Sequence, residues 1–259
     1  MKTRVHPTAI VDPKAEIDSG ADIGPFCVLK SGVKIRKGTK LLSHVIIEGS
    51  TEIGENCTIH PYTSIGFPPQ DLKYKGEKTR LRIGDNNTIR EYVSIHRASV
   101  GGDGETFIGN NNFLMAYVHI AHDCKIGNNV VMANAATLAG HVLIEDNAVI
   151  GGLVAVHQFT RIGRNAMIGG FSGIGQDIPP YMIASGARAK LYGPNTIGLK
   201  RHGLPDSTVN AIKKAYKILF REKRTMKDAI KKVRDDMSGL EEVEHLINFI
   251  EKNKRGICR

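Results

Sequence analysis

Ten histidines are many for a chain of 259 residues, and four of them (His119, His122, His141 and His157) fall in one stretch with Asp123, Gly140 and Gln158. A neutral imidazole, with an ordinary pKa of ~6.5, is suited to take a proton from a hydroxyl or an amine near neutral pH. Asp123 follows His122 directly and is placed to hold that ring in one tautomer. Gly140 has no side chain, so its backbone N–H is open as a donor to a developing oxyanion. The same imidazoles have a second use: His119, His122 and His141 converging on zinc with an open fourth position. The residues alone leave both chemistries open. A serine nucleophile finds no support, since no G-x-S-x-G elbow occurs.

A repeat positions these residues. From Val5 to Ile65 an aliphatic side chain stands at every sixth position, eleven in succession. The spacing resumes at Ile83, Ile89 and Ile95, and again from Ile108 to Ile174 with Met132 among its twelve members. Glycine often follows the aliphatic residue, and the fourth residue after it is usually small, as at Ala21, Ala136 and Ala148. Neither a helical period of 3.6 nor a strand period of 2 produces this pattern. It resembles the hexapeptide repeat of the left-handed parallel β-helix, in which three hexads form one triangular coil of 18 residues. Each hexad is then a short strand with its aliphatic side chain inward and the small residue allowing the corner. At ~4.8 Å per layer, eight to nine coils make a prism about 40 Å long.

Coil arithmetic relates the candidate residues. Adding 18 to 122 gives Gly140 and then Gln158, stacked on one face with His141 and His157 one residue to either side. Cys27, Cys57 and Cys124 each lie four residues after an aliphatic and read as small corner-packing residues. Two segments interrupt the hexads, near 66–82 and 98–106, and loops leaving a rigid solenoid are where binding chemistry collects. Pro179-Pro180-Tyr181 stops the repeat. From about Ser207 the apolar spacing turns helical, in three stripes around Ile212, Ile230 and Leu246. The expected class is mainly β: a left-handed parallel β-helix over 1–190, then a small basic α-helical domain over 191–259.

Composition narrows the class further. No tryptophan and only 6 % aromatic residues point to an aliphatic core. The net charge of +10 is concentrated at the end, where residues 191–259 hold 16 Lys+Arg against 9 Asp+Glu. Such a patch suits an acidic protein partner. No RGG tract, RNP-like motif or basic-region zipper accompanies it, so nucleic acid is not the expected partner. Four separated cysteines without a CxxC pair, no signal peptide and no apolar run of membrane-spanning length lead to a cytoplasmic expectation.

Several motifs carry a family resemblance. Ile120-Ala121-His122-Asp123-Cys124, Leu138-Ala139-Gly140-His141-Val142 and Ala155-Val156-His157-Gln158-Phe159 resemble the signature of the UDP-N-acetylglucosamine acyltransferases of lipid A biosynthesis. So do Gln70-Asp71-Leu72-Lys73-Tyr74, Ile95-His96-Arg97, Gln176-Asp177-Ile178-Pro179-Pro180-Tyr181 and Gly198-Leu199-Lys200-Arg201. These motifs span nearly the whole chain, in the family's order. The resemblance implies transfer of an (R)-3-hydroxyacyl group from acyl carrier protein to the 3-position of the UDP-sugar. On that reading His122 is the general base and Gly140 the oxyanion donor. His119, His141, His157 and Gln158 line the sugar and acyl site, and Gln70, Asp71 and Lys73 belong to the loop closing over it. Asn195 and Arg201 reach the uridine diphosphate, and Gly170 limits acyl length. The resemblance also implies a homotrimer and no cofactor beyond the phosphopantetheine carried by the donor. Two positions depart from the family: Ile197 stands where an acidic residue is frequent, and His202 where a second arginine is. N-acylation of a 3-amino sugar, a zinc carbonic anhydrase on the same prism and a non-catalytic scaffold are the alternatives.

Overall fold

The computed structural model describes residues 2–259, folded as a parallel β-helix capped by four short helices. Twenty-six short strands alternate among three parallel sheets, which form the three faces of a prism. The first sheet starts at Arg4–Val5, the second at Ile10–Val11 and the third at Glu16–Ile17. Register follows the 18-residue coil, as in the pairing of Val131 with Val149 and of Val149 with Met167. The two insertions stretch it, so that Thr58 pairs with Thr88 and Thr88 with Phe113.

The hexad aliphatics fill the interior. Every one from Ile23 to Ile174 is at most 3 % exposed, whereas Val5, at the open end, is 44 % exposed. Burial of each such side chain is worth about 1.5–3 kcal/mol, and the contribution recurs with every strand. The small residue at the fourth position also points inward, with Ala21, Cys27, Cys57, Cys124, Ala136 and Ala148 almost wholly buried.

The corner itself is turned one residue earlier than the sequence suggested. The third residue after most of these aliphatics adopts φ of about +60°, the left-handed region that most side chains avoid. The three edges of the prism meet this demand in different ways. Between the third and first sheets the corner residue is Asn56, Asn86, Asn111, Asn129, Asn147 or Asn165, a type that tolerates this backbone. Between the first and second sheets, Phe26, His44, Tyr62, Tyr92 and Tyr117 stack their rings with centroids 4.9–5.1 Å apart, which offsets the backbone cost. Between the second and third sheets stand Asp123, His141 and Phe159. Both loop insertions also leave from this third edge, between Ser64–Phe67 and Arg80–Ile83 and between Ser94–His96 and Glu105–Ile108.

Beyond the last coil, Met182–Ser185 pairs antiparallel with Lys190–Pro194. Helices α1 (Thr196–Arg201), α2 (Asp206–Phe220), α3 (Met226–Met237) and α4 (Glu241–Glu251) follow. Their apolar stripes join the prism core through Leu199, Val209, Ile212, Val233 and Leu246. The tail returns to the third face, where Arg161 donates to the Phe249 carbonyl and His245 meets Glu145 at 2.8 Å. No helix among the described residues is long and apolar enough to cross a membrane.

Candidate active site

His122 sits where the chain leaves the second sheet after the strand His119–Ile120. The next residue, Asp123, turns the corner, and this brings its Oδ2 to 2.7 Å from His122 Nδ1. Oδ2 also accepts from the Ser99 hydroxyl at 2.7 Å and the Ser99 N–H at 3.1 Å. Burial pushes the Asp123 carboxyl upward, but the bonds from His122 and Ser99 outweigh it and hold the carboxyl below its ordinary range. An ionised Asp123 accepts the Nδ1 proton of His122, which leaves the Nε2 lone pair free as the basic atom.

One coil along lies Gly140. A Cβ at that position would approach His122 Cε1 to 2.6 Å and Nε2 to 2.8 Å, so only glycine lets the imidazole lie against the turn. Among the described residues the Gly140 N–H meets no protein acceptor. A basic nitrogen and a free backbone donor thus stand one coil apart on a rigid edge.

His141 packs edge-on to His122 with centroids 5.3 Å apart and stacks on Phe159 at 4.5 Å. Burial lowers its pKa, with Asp123 and, from the first loop, Asp71 acting in the opposite direction. Within that loop Asp71 Oδ1 accepts from the Lys73 N–H. Gln70 and Lys73 are exposed on the same loop. Arg97 braces it, with Nη1 donating to the Gly66 carbonyl at 2.7 Å and Nη2 to the Tyr74 hydroxyl at 3.2 Å.

His119 lies on the second face with Nδ1 2.7 Å from the Ser94 hydroxyl, and burial lowers its pKa. His96 packs edge-on against it at 5.2 Å, and burial together with the neighbouring histidines brings His96 down to about 4. Both rings are accordingly neutral at pH 7. His157 and Gln158 are exposed farther along the same edge. His157 lines an apolar groove of about 550 Å³ with Ala155, Gly173, Gly175 and Ala187. At Gly170, an exposed position, a Cβ would meet the Gly152 carbonyl oxygen at 3.3 Å and the Gly152 nitrogen at 3.9 Å.

Within the one chain described, the three histidines His119, His122 and His141 do not all bring a ligand atom to one point. The groups whose ligand atoms lie within 4.8 Å of one another are His122, Asp123 and His141, and His119 is not among them. Asn195 also stands apart from His122. Asn195 Nδ2 donates to the Asn165 carbonyl on the asparagine edge, while its Oδ1 caps α1 through the Gly198 N–H. Asn195 is thus engaged on a different edge of the prism. The cysteines behave as small core residues: all four are buried free thiols, and burial pushes Cys124 up to about 12 and Cys258 to about 11.

Ser99, Ser94 and His96 were missed as site residues. The signal for two of them was available, because the seven-residue insertion changes the coil offset from 18 to 25 and thereby pairs Ser94 with His119. His96 was visible in the Ile95-His96-Arg97 motif.

Comparison with known proteins agrees with this geometry. The chain is 68 % identical over 255 residues to the acyl-[acyl-carrier-protein]–UDP-N-acetylglucosamine O-acyltransferase of Thermodesulfovibrio yellowstonii, covering 98 % of this chain and 99 % of that one. It belongs to the UDP-N-acetylglucosamine O-acyltransferase family. The enzyme of the same name from Syntrophobacter fumaroxidans is 51 % identical, with 99 % of this chain and all of that one covered. The solved UDP-N-acetylglucosamine acyltransferase of Francisella novicida superimposes with a TM-score of 0.94 at 41 % identity, over 98 % of this chain and 94 % of that one. Residues 177–258 match the family's model for its second domain, and residues 32–67 and 105–140 match the bacterial transferase hexapeptide model. The fold of this family is the left-handed parallel β-helix, as the hexads implied.

Proposed function

We propose that the protein transfers an (R)-3-hydroxyacyl chain from acyl carrier protein to the 3-hydroxyl of UDP-N-acetylglucosamine, the first step of lipid A biosynthesis. The observation that carries this reading is the pair His122 Nδ1 and Asp123 Oδ2 at 2.7 Å, seated against Gly140. His122 Nε2 removes the proton of the sugar hydroxyl as its oxygen attacks the thioester carbonyl carbon. The Gly140 N–H donates to the oxyanion of the tetrahedral intermediate. Collapse breaks the carbon–sulfur bond, and the imidazolium returns its proton to the phosphopantetheine thiolate. A thioester is already activated, so no thiol or serine need act as nucleophile.

Gln70, Asp71 and Lys73 close over the sugar, and His119, His141, His157 and Gln158 line the sugar and acyl site. Asn195 is engaged on the asparagine edge of its own chain, so it and Arg201, at the end of α1, reach the nucleotide from a neighbouring copy, which favours a cyclic homotrimer. An Arg201 guanidinium forks onto phosphate, while Ile197 and His202 withhold two polar contacts frequent in the family. The positive tail, over 191–259, draws in an acidic carrier protein. The reaction belongs to the cytoplasm, where the donor is made.

The test is mass spectrometry of products from UDP-N-acetylglucosamine, or its 3-amino analogue, with 3-hydroxyacyl carrier proteins of several lengths. The expected product is an ester of the first sugar. Amide formed only from the second would move the assignment to N-acylation, and no product from either would refute it. In the same assay Gly170→Met is expected to shift selectivity toward shorter chains, because a side chain would project from the exposed turn beside Gly152. Unchanged selectivity would remove Gly170 from that role.

A further inference from the structure

The reading above gives His122 and Asp123 their parts, but it leaves the second loop without one. That loop covers the dyad from the side. Ser99 is 2 % exposed and directs both of its donors, N–H and hydroxyl, at one oxygen of Asp123, and its hydroxyl in turn accepts from the Gly101 N–H at 3.2 Å. Asp123 is tied to the far end of the same loop as well, since its N–H donates to the Thr106 hydroxyl at 2.8 Å. Between them Gly102 passes so close that a Cβ would come within 2.5 Å of Asp123 Oδ1. Lys125 pins the loop at 3.0 Å from Asp103 Oδ2.

We infer that Ser99 is a positioning residue for the general base: its hydroxyl fixes the ionised Asp123 carboxylate, which in turn fixes the tautomer and direction of the His122 ring. A carboxylate with only His122 as partner could rotate or take up the proton itself. With two donors from Ser99 on Oδ2, the remaining approach to that oxygen is left to the Nδ1–H of His122, and the anionic form is favoured. The other ionisable groups around the dyad are accounted for. His141 Nε2 lies 3.7 Å from Asp123 Oδ2. Asp71 and Asp103 act on His141, Asp103 being paired with Lys125, while His119 and His96, packed edge-on against each other, both act on His122. None of these donates a neutral hydroxyl to the carboxylate, so the contribution of Ser99 is separable from theirs.

The inference rests on the proposed acyl transfer, and its test is built to fail separately from it. Ser99→Ala removes a donor to the charged carboxylate, so the His122–Asp123 pair binds its proton more readily. The acid limb of the kcat profile then moves to higher pH by about one unit, so kcat falls up to about tenfold on that limb and much less on the plateau, with little change in KM. Ser99→Thr keeps the hydroxyl and is expected to restore both. Independently of activity, the titration of ¹³C-labelled His122 followed by NMR should move upward in Ser99→Ala and remain in place in Ser99→Thr. An NMR titration unmoved in Ser99→Ala, or Ser99→Thr behaving as Ser99→Ala does, would overturn the inference. Loss of acyl transfer by the wild-type protein would instead overturn only the functional reading, because the NMR result stands without it.

Discussion

Replacing His122 by alanine is expected to lower turnover by about 10²–10⁴-fold, the contribution of a positioned general base. The side chain lies at the edge of the prism and fills no part of the aliphatic interior, so the variant should fold with wild-type thermal stability. Its ring is held only by Asp123 and by contact with Gly140 and His141, and each of those groups is itself anchored by backbone pairing or by Ser99. The loss should therefore appear in kcat, with the KM for the sugar nucleotide little changed. Steady-state kinetics beside a melting curve checks this. A folded variant with near-normal turnover would remove His122 from the role of base.

Gly140→Ala is the more discriminating substitution, since it keeps the backbone N–H and every titratable group. The added Cβ would lie 2.6–3.1 Å from three atoms of the His122 ring, closer than real contacts allow. The ring is the part able to move, because the Gly140 turn is held by the ladder on either side, with Ala139 donating to Val156 and His141 to His122. Displacement of a reacting nitrogen by about 1 Å costs roughly 10²-fold in rate, so kcat should fall by that order while thermal stability changes little. Unchanged kcat would mean that the imidazole does not work from its seat against Gly140. A large loss of stability would mean instead that the turn, and not the ring, absorbs the clash.

The fold was legible because the interior is one-dimensional. Each inward side chain, from Ile23 to Ile174, packs within its own coil and against the coils on either side, so a fixed spacing suffices to identify it. The corner was less legible. The small residues Ala21 and Cys124 marked it, yet they face inward, and the turn is made by their predecessors Gly20 and Asp123 in the left-handed region. Asn, Tyr and Asp share little besides that backbone, and a search for one residue type passes over them.

At the candidate site, arithmetic worked where the coils are regular and stopped at the insertions. His122 and Gly140 are one coil apart without an intervening loop, and the structure sets the ring of one against the backbone of the other. Ser99 contacts Asp123 across a loop whose path has no period, so no offset could have related them. Asn195 is similar: its place on the asparagine edge follows from how the terminal helices fold back, which depends on tertiary packing and not on spacing. The zinc alternative turned on the same issue. Sequence put three histidines close in number, but the strand alternation sends His119 to the face, where it meets Ser94.

Direct transfer from thioester to sugar is the claim on which the whole account depends, and rapid-quench mass spectrometry of both protein and products tests it most directly. The protein would be mixed with (R)-3-hydroxyacyl carrier protein and UDP-N-acetylglucosamine and sampled through the first turnover. The account predicts an acylated UDP-sugar appearing while the mass of the protein stays constant, since His122 moves only a proton. An acyl adduct on the protein, formed and lost at the rate of turnover, would contradict it.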